Sequence, residues 1–144
     1  MTIERSLIPD AVFDHVAIAA RSIDDMLPLY SGILGGKPCF EAIHNAYGFR
    51  VVQLQFMNRS KVELLEPTSD STFLESFLRR HPAGGLHHVT FRVPNIQAAK
   101  EYCENQGFDV FGINYENDEW REFFLRPKST WGTLVQIVQS AKYV

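Results

Sequence analysis

Two adjacent histidines stand at the head of an apolar run, Gly84-Gly85-Leu86-His87-His88-Val89-Thr90-Phe91-Arg92-Val93. Imidazole is both a general acid–base and a common ligand for divalent metals. In a strand, neighbouring side chains face opposite ways, so at most one of the pair turns toward a site. A third histidine, His15, sits in a run of the same shape, Asp14-His15-Val16-Ala17-Ile18-Ala19, and 73 residues separate it from His88. The same separation of 73 links Glu63, in Lys61-Val62-Glu63-Leu64-Leu65-Glu66, to Gln136, in Leu134-Val135-Gln136-Ile137-Val138-Gln139. Two imidazoles, a carboxylate and an amide therefore occupy repeated positions. Mixed nitrogen and oxygen donors of this kind suit Mn, Co, Ni, Zn or non-haem Fe. Taken singly, a strand histidine is more often a packed ring than a ligand. Four polar groups in two related pairs are costly to bury without partners, which leaves a shared metal or a polar cleft.

The elements that must position these residues also repeat. Each of the two runs is rich in β-branched and apolar residues and reads as a strand. Each is followed by a helix start: Ser22 with an acid three residues on, and Asn95 before Ile96-Gln97-Ala98-Ala99. The first helix is predicted over Ser22–Leu34, with Pro28 a break inside it; the second ends at Gln106-Gly107. Strands are predicted at Cys39–Ile43 and Arg50–Met57 in the first half, and at Phe108–Tyr115 and Trp120–Arg126 in the second. A helical linker is predicted around Ser71–Leu78, where Phe73 and Phe77 stand four apart. The expectation is an α+β fold. Residues 1–144 form a single domain, with βαβββ modules at 12–67 and 86–140, a helical linker at 68–85, and sheets curled around a shared metal-binding cleft. Val16, Ile18, Val89 and Phe91 share the parity of a helix-covered face, and His15 and His88 share the other, with His87 turned outward. Gln53, Gln55 and Phe124 are placed in the substrate cleft.

With 144 residues, 45% hydrophobic and 22% charged, the chain can bury one ordinary core. The formal charge is −3 and basic residues are scattered, so nucleic acid is not an expected partner. No apolar run reaches the length of a membrane span and the N-terminal residues do not read as a signal peptide, so no membrane association and a cytoplasmic location are expected. Cys39 and Cys103 have no metal-type spacing and read as free thiols.

Phe13–Ala19 (FDHVAIA), Tyr30–Gly36 (YSGILGG), Lys61–Pro67 (KVELLEP), Ala83–Val93 (AGGLHHVTFRV) and Arg126–Gln139 fall in the order found in the vicinal oxygen chelate superfamily. Within it, the chain most resembles the methylmalonyl-CoA epimerases, over nearly its whole length. The resemblance implies one divalent ion held by His15, Glu63, His88 and Gln136, a small-molecule substrate such as an acyl-CoA, and a homodimer. It implies an isomerase that moves a proton beside a carbonyl. Family members place glutamates where this chain has Gln53 and Gln136. An amide takes up no proton at ordinary pH. The expected acid–base groups are instead Glu63 and Glu122, the latter assigned as the mirror of Gln53 across a longer hairpin at Pro127–Gly132. A glyoxalase-like lyase and a non-catalytic binding protein are the alternative readings, with an extradiol dioxygenase behind them. Arg50, Arg121 and Arg126 are candidate partners for a substrate carboxylate or phosphate, though solvated surface charge is the plainer reading of each.

Overall fold

The computed structural model describes residues 6–68, 71 and 74–141. The order of elements is β1 (Val12–Ala19), α1 (Ile23–Leu27), β2 (Lys37–His44), β3 (Phe49–Gln55), β4 (Lys61–Pro67), α2 (Glu75–Arg80), β5 (Gly85–Arg92), α3 (Ile96–Asn105), β6 (Val110–Asn117), β7 (Trp120–Leu125) and β8 (Leu134–Gln139). The chain divides into two compact units. One is His15–His87; the other joins the segment up to Asp14 to the chain from His88 onward. The boundaries fall inside β1 and β5, beside the two candidate ligand histidines. Of the linker helix pair, Phe73 lies outside the described residues.

In the first unit the strands run β2-β3-β4-β1, in the second β5-β8-β7-β6. The repeat in the sequence becomes a repeat of pairing. In the parallel pair β1–β4, Val16 lies opposite Val62 and Ala17 opposite Glu63. In β5–β8, Val89 lies opposite Val135 and Thr90 opposite Gln136. Adding 73 to every residue of the first pairing gives the second. The helix caps repeat too. Ser22 Oγ accepts from Asp25 N at 3.3 Å and Asn95 Oδ1 from Ala98 N at 3.0 Å. A side chain from the last strand of each module then takes a second open N–H: Ile23 N donates to Glu66 Oε2 at 2.6 Å, and Ile96 N to Gln139 Oε1 at 2.8 Å.

The expected first helix is α-helical only to Leu27. From Pro28 it widens into a π-helical turn through Ile33, with Leu34 N bonded to Leu29 O at 2.9 Å. Pro28 has no N–H to give to the α ladder, and the turn re-forms with a wider ring.

Each unit buries its helix against the expected parity. Ile18 packs with Ile23, Met26, Leu27, Val52, Leu54 and Leu64 on the α1 face. Phe91 packs with Ile96, Ala99, Phe123 and Ile137 on the α3 face. On the opposite face of the first unit, Ala17, Ala19, Val51 and Leu65 pack with Leu74 and Leu78. That second layer, beside α2, corrects the placement of His87. The ring does not turn out to solvent. It is buried, edge-on to Phe77 at 5.0 Å, and Phe77 also lies against His81 at 4.6 Å. Strand alternation fixes which way His87 points, but not that α2 covers that side. The loop into β5 is forced by Gly84, whose φ of +84° suits glycine. A Cβ there would stand 2.6 Å from Ala19 O.

Candidate functional site

In the first unit two polar side chains, those of His15 and Gln53, converge on Glu63. His15 is fully buried, at 1% exposure, because Ala17 and Ala19 on the same face of β1 are covered by the α2 layer. Its Nε2 lies 3.3 Å from Glu63 Oε2. Gln53 is the cross-strand neighbour of Glu63 in the antiparallel pair β3–β4, and its Nε2 donates to the same Oε2 at 2.6 Å. An imidazole nitrogen and a carboxylate oxygen are drawn together by a proton or by a cation held between them. Their 3.3 Å separation exceeds the roughly 2.7–2.9 Å of a charge-assisted hydrogen bond. The donor set therefore fits a divalent ion. Gln55, two residues on, stands exposed at the end of β3 between Lys37 and Lys61 and makes no contact of this kind among the described residues.

The second unit carries a chain of hydrogen bonds across β5, β8 and β7. Thr90 Oγ1 donates to Gln136 Oε1 at 2.7 Å. Gln136 Nε2 donates to Glu122 Oε2 at 2.5 Å, and Trp120 Nε1 donates to the same oxygen at 2.9 Å. Gln136 Oε1 keeps a second lone pair, so the amide can still act as a ligand. His88 is buried, and Phe124 presents its ring edge-on at 6.5 Å.

The register corrects one assignment. Gln53 is the partner of Glu63; the partner of Gln136 is Phe124. Phe124, not Glu122, thus mirrors Gln53. Glu122 pairs with Val138, as Val51 pairs with Leu65, so its mirror is Val51. The turn at Pro127–Ser129 and the left-handed Trp131 lengthen the second hairpin, and a count carried back through it slips by two. Glu122 still shares a face with Phe124 and reaches Gln136, one pair along.

The arginines are engaged elsewhere. Arg50 bonds Glu41 at 2.8 Å and Glu66 at 3.2 Å. Arg121 pairs with Asp118 at 2.5 Å, and Arg126 pairs with Asp109 at 3.3 Å and lies over the Phe111 ring. Sequence reading singled out neither Thr90 nor Trp120 for the site. The signal for Thr90 was present, since it is the polar residue that answers Ala17 in the repeat.

The two βαβββ modules can now be set beside known proteins. The family model of the Glyoxalase/Bleomycin resistance protein/Dioxygenase superfamily matches residues 14–124. The chain is 33% identical over 132 residues to an ethylmalonyl-CoA/methylmalonyl-CoA epimerase of Cereibacter sphaeroides, covering 88% of this chain and 96% of that protein. It is 30% identical over 129 residues to the mitochondrial methylmalonyl-CoA epimerase of Homo sapiens, covering 88% and 73%. Among solved structures, the methylmalonyl-CoA epimerase of Mycobacterium tuberculosis superposes with a TM-score of 0.82 at 24% identity, over 97% of this chain and 93% of that one. A variant of the Streptomyces coelicolor methylmalonyl-CoA epimerase, in complex with 2-nitronate-propionyl-CoA, gives 0.77 at 25% identity over 90% and 96%. Repeated modules, a match over most of the length and the fold of these structures agree, and the chain belongs to the glyoxalase/bleomycin resistance protein/dioxygenase superfamily.

Proposed function

We propose that the chain is an epimerase-like isomerase that depends on a divalent metal and moves a proton at the carbon beside the carbonyl of an acyl-CoA. The observation that carries this reading is that each unit holds one carboxylate against a glutamine of the next strand: Glu63 by Gln53, and Glu122 by Gln136. Epimerisation needs one group to remove the α-proton and another to return a proton on the opposite face. Glutamine serves neither end, and these two carboxylates supply both. The Cereibacter sphaeroides relative, named an ethylmalonyl-CoA/methylmalonyl-CoA epimerase and covered over 96% of its length, supports the substrate class.

His15, Glu63 and His88 are the histidine and carboxylate residues proposed to hold the ion, with Gln136 as a weaker fourth ligand through Oε1. A bound divalent cation supplies Lewis-acid stabilisation of the negative charge that develops on the thioester oxygen. Gln53 orients the Glu63 carboxylate by donating to Oε2. Phe124, edge-on to His88, gives the substrate an apolar wall and limits water.

The test is deuterium uptake at the α-carbon of methylmalonyl-CoA in D2O, after loading with Co, Mn, Ni or Zn. The wild type should exchange the α-proton, and the Glu63→Gln, Glu122→Gln double variant should not. Absence of exchange by the wild type with every one of the four metals would overturn the isomerase reading.

A further inference from the structure

The bonds around Gln136 run in one direction. A Trp indole can only donate, and a carboxylate accepts. Glu122 Oε2 therefore takes both N–H groups, one from Trp120 at 2.9 Å and one from Gln136 at 2.5 Å. This fixes the Gln136 amide with its nitrogen toward Glu122 and its oxygen toward Thr90. The Thr90 hydroxyl in turn must donate, and does so at 2.7 Å. Thr90 is fully buried at 0% exposure and Gln136 is buried at 7%, so water does not compete freely for these bonds. In the first unit the residue that answers Thr90 is Ala17, which has no hydroxyl to donate. Both bonds to Glu122 fall on Oε2, and among the described residues Oε1 takes none.

We propose that Thr90 and Trp120 are positioning residues for the Glu122 carboxylate, Thr90 through the Gln136 amide and Trp120 directly, which makes Oε1 the atom that exchanges the proton. The inference rests on the proton transfer proposed above and assigns it an atom and two supports. In the step, the α C–H bond breaks, its electron pair moves into the enolate, and the proton is left on Oε1. Return of a proton to the same carbon on this face is the reverse. Trp120 and Thr90 act through Glu122 and Gln136; they hold the carboxylate where one face of the α-carbon can reach it.

The two epimers of the substrate separate this role from a merely structural one. Each presents its α-proton to a different carboxylate, so the rates at which the two epimers lose their proton report on the two groups separately. Trp120→Phe keeps the ring and removes the N–H. It should slow proton loss from one epimer by roughly 10- to 100-fold, the usual cost of removing an orienting partner, while the other epimer, KM and bound metal stay near wild type. Thr90→Val, nearly the same shape, should slow the same epimer, and Thr90→Ser, which restores the hydroxyl, should recover it. Equal slowing of both epimers, or no slowing in either variant, would overturn the positioning role while leaving the isomerase reading intact. A wild type that exchanges neither epimer would instead overturn the isomerase reading itself, and this assignment with it.

Discussion

At the scale of single residues, the two modules orient a carboxylate in the same way. Glu63 and Glu122 are each met on Oε2 by an amide of the adjacent strand. Gln53 therefore has a structural role, as the donor to Glu63. It is buried, and Gln53→Leu should destabilise the fold by about 1–3 kcal/mol, since it strips a donor from a partly buried carboxylate; the midpoint of urea unfolding is the check. His87 makes a second prediction. Burial pushes its pKa down from 6.5 to about 4, partly offset by the charge of Glu63. The folded pKa lies below the unfolded one, so below pH 6.5 the unfolded chain binds a proton that the folded chain refuses. Stability should therefore fall as the pH drops from about 6.5 to about 4, by roughly 3 kcal/mol if the full shift is expressed. His87→Phe, measured in a chelator so that no ion competes, should flatten that slope. The ligand candidates His15 and His88 were legible from spacing alone. The burial of His87 was not, because alternation says nothing of what α2 covers.

At the scale of elements, the repeat was readable because strands and caps obey local rules. Ser22 and Asn95 announced their helices and cap them as expected. The long-range caps were invisible, because Glu66 and Gln139 reach helices 43 residues earlier in the chain. Removing the oxygen by Gln139→Ala should cost about 1 kcal/mol, the usual loss of a cap, whereas Gln139→Glu, which keeps an acceptor, should be nearly neutral; thermal melts of the two variants distinguish them. Gly84, in the loop before β5, has a positional reason as well. Gly84→Ala sets a left-handed backbone against a Cβ that meets Ala19 O at 2.6 Å. It should be among the most damaging single changes outside the core, at about 2–4 kcal/mol or loss of the folded chain, and soluble yield with near-ultraviolet dichroism would reveal it. The hairpin at Pro127–Ser129 marks where counting failed. A turn's length is set by its own backbone preferences, not by the repeat, so the slot of Glu122 could be fixed only by pairing.

Across the whole molecule, the repeat distributes acids and amides in complementary fashion. The first unit puts the amide on β3 and the acid on β4; the second puts the acid on β7 and the amide on β8. Within each pair an N–H meets an oxygen, and that requirement constrains any change of identity at either position. Installing a glutamate at Gln53 or at Gln136 sets carboxylate against carboxylate. Gln136→Glu places its new oxygen where Nε2 now stands, 2.5 Å from Glu122 Oε2. Two carboxylates that close cannot both stay ionised in a partly buried site, so one must take a proton or the pair must part. Gln136→Glu alone should therefore lower stability at neutral pH by about 2–4 kcal/mol, the range for a buried charge left without its partner. Unlike the wild type, it should regain part of that stability as the pH is lowered toward 5, because a shared proton restores the missing hydrogen. Combining it with Glu122→Gln exchanges acid and amide between β7 and β8 and keeps one donor facing one acceptor. Denaturant midpoints at pH 5 and pH 7 give the comparison. The double variant should recover most of the loss at pH 7, because the bond is rebuilt in the opposite direction. If Gln136→Glu were as stable as wild type at neutral pH, or the double variant no better than the single, the acid–amide pairing would not be what holds this part of the sheet together.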